Sequence, residues 1–371
     1  MRAKEIIEFK PHKSILSGAE RKQLAAMVEA LAAESGAGKA LSALWQQQKA
    51  IGFILGNPSE GENLNDKKFL SKMVGPYWLI HSSARKDRRD VSILKKSGIL
   101  GQNPVFVYDK LKDGVYAHHP TKRHGFKDIC FLCSAKRANP NEVLISTILG
   151  NAEFVYGANF ATLGHCHFTA WTKVPILQKH WPYDSLIWLC LHGRWLASDT
   201  FTTFFNGLGA GNSIKHFHYQ TLREEFPISL ASQTRQFQSS GIDRLEWPMP
   251  AYRTTIRPDQ ELSDGIARMD RFISHWVNMN PIHSLNLVHT TDLSGRTYII
   301  FVPRVASPEK RRPREISNDF AGCEVGGRIN IEDKQQWKWA AAQDEAAIVK
   351  MLECLAPPKT QIESLERSLR R

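Results

Sequence analysis

Acidic residues are outnumbered by basic ones in this chain, cysteines are few and long apolar runs are missing. Aspartate and glutamate number 37 against 49 lysines and arginines in 371 residues, a formal charge of +12. That imbalance favours phosphate-rich partners, either nucleotides or nucleic acid. Much of it sits in the runs Arg85-Lys86-Asp87-Arg88-Arg89, Lys95-Lys96 and Lys310-Arg311-Arg312-Pro313-Arg314; solvated loops are the alternative reading of such runs. Six cysteines do not make the disulfide framework of a small secreted protein. No apolar stretch approaches the roughly 20 residues of a membrane-spanning helix. Residues 1–8, Met-Arg-Ala-Lys-Glu-Ile-Ile-Glu, lack the apolar core of a secretory leader. A cytoplasmic protein with no membrane partner is the expectation. What remains is ordinary globular material, 42% hydrophobic and 23% charged, long enough for one elaborated domain or two.

The apolar pattern alternates between the two regular periods. Leu24, Met27, Val28 and Leu31, then Leu41, Leu44 and Trp45, recur at helical spacing across residues 19–50, interrupted by Ser35-Gly36-Ala37-Gly38. Short strands are expected at Val74–Ile80 and Val105–Tyr108. From Val143 the signals sharpen: strands at Val143–Leu149, Phe154–Tyr156 and His167–Thr172, an apolar helix over 182–197, then strands at Thr200–Asn206 and His216–Thr221. Residues 226–258, rich in proline, glycine and polar side chains, read as a connecting arm. A helix over Asp259–Asn280 and a hairpin of Ser284–Thr290 and Arg296–Val302 follow. Trp337–Leu355 reads as one helix, and the chain from Pro357 as a frayed tail. These elements predict an α+β fold, an antiparallel sheet with packed helices. The helix-then-hairpin order after residue 258 echoes the first unit.

The chemistry concentrates in His216-Phe217-His218-Tyr219-Gln220, behind the turn Gly207-Leu208-Gly209-Ala210-Gly211-Asn212-Ser213. In an extended strand alternate side chains share a face, so His216, His218 and Gln220 line one surface while Phe217 and Tyr219 turn into packing. The glycines let bare backbone N–H groups approach an anion. Neutral imidazole is nucleophilic near pH 7 without adding negative charge beside phosphates. The pattern suits an enzyme that passes a nucleotide through a phosphoramidate, and equally half of a metal site.

This segment resembles the active-site strand of the histidine-triad superfamily in its transferase branch, where Gln replaces the third histidine. That branch includes galactose-1-phosphate uridylyltransferase, diadenosine tetraphosphate phosphorylases and GDP-hexose phosphorylases. Ala158-Asn159-Phe160-Ala161-Thr162-Leu163-Gly164-His165-Cys166-His167-Phe168-Thr169-Ala170-Trp171 is similar to the strand–turn–strand that precedes the triad, with Leu163 where proline is usual. Tyr298-Ile-Ile-Phe-Val-Pro-Arg304 and Glu324-Val-Gly-Gly-Arg-Ile-Asn330 resemble two later strands of the phosphorylases.

The resemblance implies a histidine-triad-like sheet, in some relatives a duplicated half-barrel, and His218 as the nucleophile. His216 would orient the site or contact phosphate. Gln220 would hydrogen-bond a phosphate oxygen without protonating a leaving group, which favours transfer over hydrolysis. Asn206, Gly209, Gly211, Asn212 and Ser213, aided by Lys215, would hold phosphate or ribose, with Asn159 and His165 beside the nucleotide and Arg304 and Glu324 as further candidates. The implied substrate is a nucleoside diphosphate sugar or a dinucleoside polyphosphate, with phosphate or a sugar phosphate as acceptor and no cofactor required. Cys130 and Cys133 suit a structural zinc completed by His216 and His180, or else a buried thiol pair. The chain then divides into a mixed helical and basic region (1–128), the nucleotidyltransferase core (129–356) and the tail (357–371). Residues 1–128 are read as a lid, a homodimer surface or an acceptor pocket. A triad-type nucleotide hydrolase and a nucleic-acid binding or end-processing protein are the competing readings.

Overall fold

A computed structural model of the chain describes residues 2–10, 16–54, 70–82, 107–110, 116–119, 132, 142–159, 162–174, 176, 178, 185–211, 216–237 and 241–369. Three N-terminal helices come first, α1 (Ala3–Ile7), α2 (Gly18–Ser35) and α3 (Ala37–Ala50). A capping box starts α2: the Ser17 hydroxyl accepts from the Glu20 N–H while the Glu20 carboxylate accepts from the Ser17 N–H. Gly36, at φ +92°, separates α2 from α3 at the break the glycines predict.

The strands β1 (Ser71–Val74), β2 (Tyr77–His81), β3 (Val107–Lys110) and β4 (Tyr116–His119) lead into β5 (Leu144–Leu149), β6 (Ala152–Ala158) and β7 (Phe168–Thr172). Helix α4 (Ser185–Leu196) precedes β8 (Thr202–Asn206) and β9 (His218–Leu222). Next come β10 (Gln233–Phe237), β11 (Ile242–Leu245), β12 (Tyr252–Ile256), α5 (Leu262–Met279), β13 (His283–Thr291) and β14 (Thr297–Val305). The chain closes with α6 (Gly322–Val325), β15 (Arg328–Ile331), α7 (Lys334–Ala341), α8 (Glu345–Glu353) and α9 (Lys359–Ser368).

Strands β5–β14 form one antiparallel sheet of ten in the order β10-β11-β12-β14-β13-β8-β9-β7-β6-β5. The two halves repeat. Three strands, a helix and two strands build β5-β6-β7-α4-β8-β9, and the same series builds β10-β11-β12-α5-β13-β14. Pair Phe204↔Val288 is the middle of the five pairs that join the halves. A half-turn about it carries β7 onto β12 end to end and sets Tyr298 and Ile300 where His218 and Gln220 stand. The fold is thus a duplicated α+β unit in which one half bears the histidines. Residues 226–258, expected as a connecting arm, instead supply β10, β11 and β12. Their polar outward positions and the Pro248 and Pro250 turn hide the strand pattern.

One sheet face, with Phe154, Tyr156, Phe168, Tyr219, Leu285, Leu287 and Phe301, packs on α4, α5 and the N-terminal helices. The opposite face, with Phe204, Leu222, Val288, Ile300 and Val302, packs beneath the small sheet β1-β2-β15 and helices α7 and α8, while α9 packs on the first face. The single helix expected over Trp337–Leu355 is two, because Asp344 accepts from the Ala347 N–H and starts α8 afresh.

The tail expected to fray contains α9, which buries Ile362 and Leu365. The Glu366 carboxylate there takes Arg244 and accepts from the Tyr252 hydroxyl at 2.9 Å. Glu366→Ala removes the carboxylate that both bind and is expected to cost about 2 kcal/mol in urea unfolding; a midpoint unchanged from the parent would show that α9 docks by its apolar face alone.

Candidate active site

The register of β7, β8 and β9 determines which side chains meet. Trp171 lies opposite His218, Thr169 opposite Gln220, and Phe204 opposite Gln220 from the other side. Alternation then places Asn206, His218, Gln220, Thr169 and Trp171 on one sheet face. Phe217 and Tyr219 turn into the aromatic core, their rings 5.0 Å apart and edge-on, as the strand period predicts.

His218 is buried, and its Nδ1–H donates to the His216 carbonyl oxygen at 2.7 Å. A backbone carbonyl can only accept, so the proton sits on Nδ1 and Nε2 carries the lone pair. Burial lowers the His218 pKa below the ordinary imidazole value, against the smaller opposing effect of that carbonyl. The ring is therefore neutral at pH 7, and Nε2 makes no hydrogen bond among the described residues.

Two amides, Asn206 and Gln220, share this face with His218, and each is oriented from behind. The Leu163 N–H donates to His167 Nδ1 at 3.0 Å, which forces the proton of that ring onto Nε2. His167 Nε2–H then donates to Gln220 Oε1 at 3.0 Å. The oxygen of Gln220 is fixed inward and its NH₂ faces the site. Asn206 follows the same logic. Its Oδ1 accepts from the Gly322 N–H at 2.8 Å and from Asn286 Nδ2 at 2.9 Å. Asn286 is itself oriented by Arg304, whose Nη1–H donates to Asn286 Oδ1 at 2.6 Å. Among the described residues neither outward NH₂ group has a partner.

Arg304 and Glu324 stand behind the Asn206–Asn286 pair, the first bonded to Asn286 and the second to the Gly322 turn. Arg304 is fully buried and spans Asn286, the Phe320 carbonyl and the Lys310 carbonyl. Burial pulls its pKa down to about 10, so it stays charged at neutral pH behind the Asn286–Asn206 chain. Glu324 accepts from the Ala321 N–H at 2.9 Å and from Asn330 Nδ2 at 3.1 Å, holding the turn that presents Gly322.

The glycine turn is seated rather than loose. Gly209 and Gly211 have φ of +77° and +89°, and a Cβ on either would overlap Ala306 or Ala321. The Gly207 and Ala210 N–H groups are used within the turn and its neighbour β13, while those of Gly209 and Gly211 make no hydrogen bond among the described residues. Asn212, Ser213 and Lys215 lie outside the described residues, as do Cys130, Cys133 and His180.

His216 donates through Nε2 to the Thr172 carbonyl oxygen at 2.7 Å, beside the Thr172 hydroxyl at 3.0 Å, which anchors the start of β9. No group of three His, Cys, Asp or Glu among the described residues is arranged to hold a metal. Asn159 joins the site from its edge: its N–H donates to the His167 carbonyl at 2.8 Å, and its amide lies 3.5 Å from the Thr169 hydroxyl. The His165 ring packs instead on Trp45, centroids 4.9 Å apart, while its N–H donates to Glu224. Glu224 in turn pairs with the buried Arg328 of β15, tying the Gly164 turn to the small sheet.

No protein-family model matches the chain, and no curated protein sequence does. Three crystal structures of a yeast enzyme are similar in outline. Yeast Ap4A phosphorylase Apa2 in complex with Ap4A shares 15% identity at a TM-score of 0.48, over 76% of this chain and 97% of that one. The same phosphorylase in complex with AMP gives 15% and 0.49, over 77% and 98%. A third structure of it gives 17% and 0.48, over 76% and 94%.

Two residues escape sequence reasoning. His167 stands in the Gly-His-Cys-His segment, where His165 draws the eye. Gln178, also buried, donates to the Asn206 carbonyl at 2.8 Å and accepts from the His218 N–H at 2.8 Å. It bridges β8 and β9 where their ladder stops, and holds them apart at the mouth of the glycine turn. Nothing in its surroundings, Pro-Ile-Leu-Gln-Lys-His, signals that.

Proposed function

We propose that the chain is a nucleotidyltransferase of phosphorylase type. It cleaves a nucleoside diphosphate sugar or a dinucleoside polyphosphate through a nucleotidyl-histidine at His218. The observation that carries this reading is the open Nε2 lone pair of His218 on one sheet face with two amides turned NH₂ outward. His218 Nε2 attacks the α-phosphorus, a P–N bond forms, and the P–O bond to the leaving phosphate breaks with its electron pair on oxygen. The Asn206 and Gln220 NH₂ groups donate to the non-bridging oxygens as charge gathers there. Neither amide can supply a proton, so only leaving groups that are stable anions depart well. In the second step an oxygen of phosphate or a sugar phosphate attacks phosphorus and the P–N bond breaks, returning neutral His218.

The experiment is a stopped reaction with substrate and no acceptor. One equivalent of leaving group per chain should appear and turnover should then stall until phosphate or a sugar phosphate is added. Continuous turnover in plain buffer would assign a hydrolase instead.

The amide orientation has its own consequence. His167→Leu removes the donor that fixes Gln220 and is expected to lower kcat about 10²-fold, the scale of one lost oxyanion donor, with KM little changed. Steady-state kinetics at saturating acceptor check this, and a kcat within twofold of the parent would remove His167 from the site.

A further inference from the structure

A second concavity opens away from His218, between β2, the segment after β9, the β11–β12 turn and α8. It is a cavity of about 860 Å³, within the range of small-molecule sites, and it includes none of Asn206, His218 or Gln220. Its chemistry is opposite to that of the chain. In a protein of net charge +12, four glutamates line it: Glu225 and Glu246 on one wall, Glu345 and Glu353 on the other. All four are exposed, and none pairs with a cation among the described residues. Glu345, Val349 and Glu353 stand a turn apart on α8, so the two carboxylates there are separated by about 12 Å of helix.

The floor is aromatic. Tyr77 and Trp247 meet at 5.5 Å between ring centroids, tilted by 58°. Tyr77 is only 3% exposed, its hydroxyl makes no hydrogen bond among the described residues, and it lines the cavity, whereas the hydroxyl of a buried tyrosine usually finds a partner. Burial and the nearby charges of Glu345 and Glu353 raise its pKa to about 12, so it stays a neutral hydroxyl whose oxygen is available to an ammonium.

Anionic nucleotides are repelled from such a site. A cation is drawn in, by carboxylates around the rim and by aromatic faces below. The separation of the carboxylates exceeds the reach of one ammonium group but matches several amines joined by methylene spacers, and the prolines and Val349 offer apolar surface to the methylenes. We propose that this cavity binds an aliphatic polyamine. Glu225, Glu246, Glu345 and Glu353 take its ammonium groups, the Tyr77 hydroxyl accepts from one of them, and the Tyr77–Trp247 pair seats the chain. The assignment is independent of nucleotidyl transfer.

Calorimetric titration of the full chain with spermidine tests it. A saturable 1:1 isotherm that weakens with added salt is expected. The double variant Glu345→Gln/Glu353→Gln should weaken binding about tenfold, Tyr77→Phe should weaken it by a smaller factor, and His218→Asn should leave it unchanged. Thermal melts of the glutamine variant, whose changed side chains are exposed, are expected to match the parent. The proposal is overturned if spermidine gives no saturable heat, if the double variant binds it as the parent does, or if a lysine-rich peptide binds and spermidine does not.

Discussion

His218→Asn is expected to lower turnover by at least about 10⁴-fold, the scale seen when a covalent nucleophile is deleted. The substitution is chosen for its geometry. An Asn side-chain amide can still donate to the His216 carbonyl that now takes His218 Nδ1–H, so β9 keeps its anchor while the attacking nitrogen disappears. The outward amides of Asn206 and Gln220 remain, held by Gly322, Asn286 and His167. Nucleotide affinity should therefore change by less than about tenfold while kcat collapses, because binding and bond-making reside in different groups. Parallel kcat and Kd measurements separate the two. Turnover within tenfold of the parent would remove His218 as nucleophile.

Acid should unfold this protein, and the reason lies on the other face of the sheet. His192 of α4 and His289 of β13 are completely buried. Tyr156 contacts His192 Nδ1 at 2.8 Å, but among the described residues His192 Nε2 and both nitrogens of His289 have no partner. The His289 ring lies against Gly193, where any side chain would overlap it. Burial lowers the pKa of each to about 3 from 6.5.

In the unfolded chain both imidazoles protonate near pH 6.5, whereas in the native state they stay neutral down to about pH 3. The unfolded state thus binds more protons throughout that window, and stability falls as pH drops from about 7 toward 3. The full effect is on the order of several kcal/mol, comparable to the whole stability of a domain. Urea unfolding between pH 7.5 and 4.5 should show the midpoint falling steadily. His289→Leu, which also deletes two unpartnered nitrogens, should flatten the slope and gain most at the acid end. An identical pH profile for parent and variant would place the acid sensitivity elsewhere.

The parts of the site legible in the sequence were those set by local periodicity. Alternation alone places His218 and Gln220 on one face and Phe217 and Tyr219 in the core, because a strand has only two sides. The glycine turn was legible for the same local reason. What orients these groups was not, because each partner arrives from a distant element. His167 reaches Gln220 across 53 residues, Gln178 reaches His218 across 40, and Asn286 reaches Asn206 across 80.

Arg304 and Glu324 stand out as motif residues, yet burial changes their part. Each acts on the site through another side chain or a turn. The duplication was half visible, as a helix followed by a hairpin. The first three strands of the second half were hidden by arginines, glutamines and threonines such as those of Gln233–Phe237 and Tyr252–Ile256. A strand placed between neighbours in a sheet can carry these wherever its side chains reach the rim.

The most direct measurement of the central claim is the intact mass of the chain after mixing with a nucleoside diphosphate sugar or a dinucleoside polyphosphate, without acceptor, followed by peptide mapping. An added nucleoside monophosphate, acid-labile, located on His218 and discharged by phosphate or a sugar phosphate, is the expected result. An unmodified chain that still turns over the same substrate, or an adduct on any residue other than His218, would contradict it.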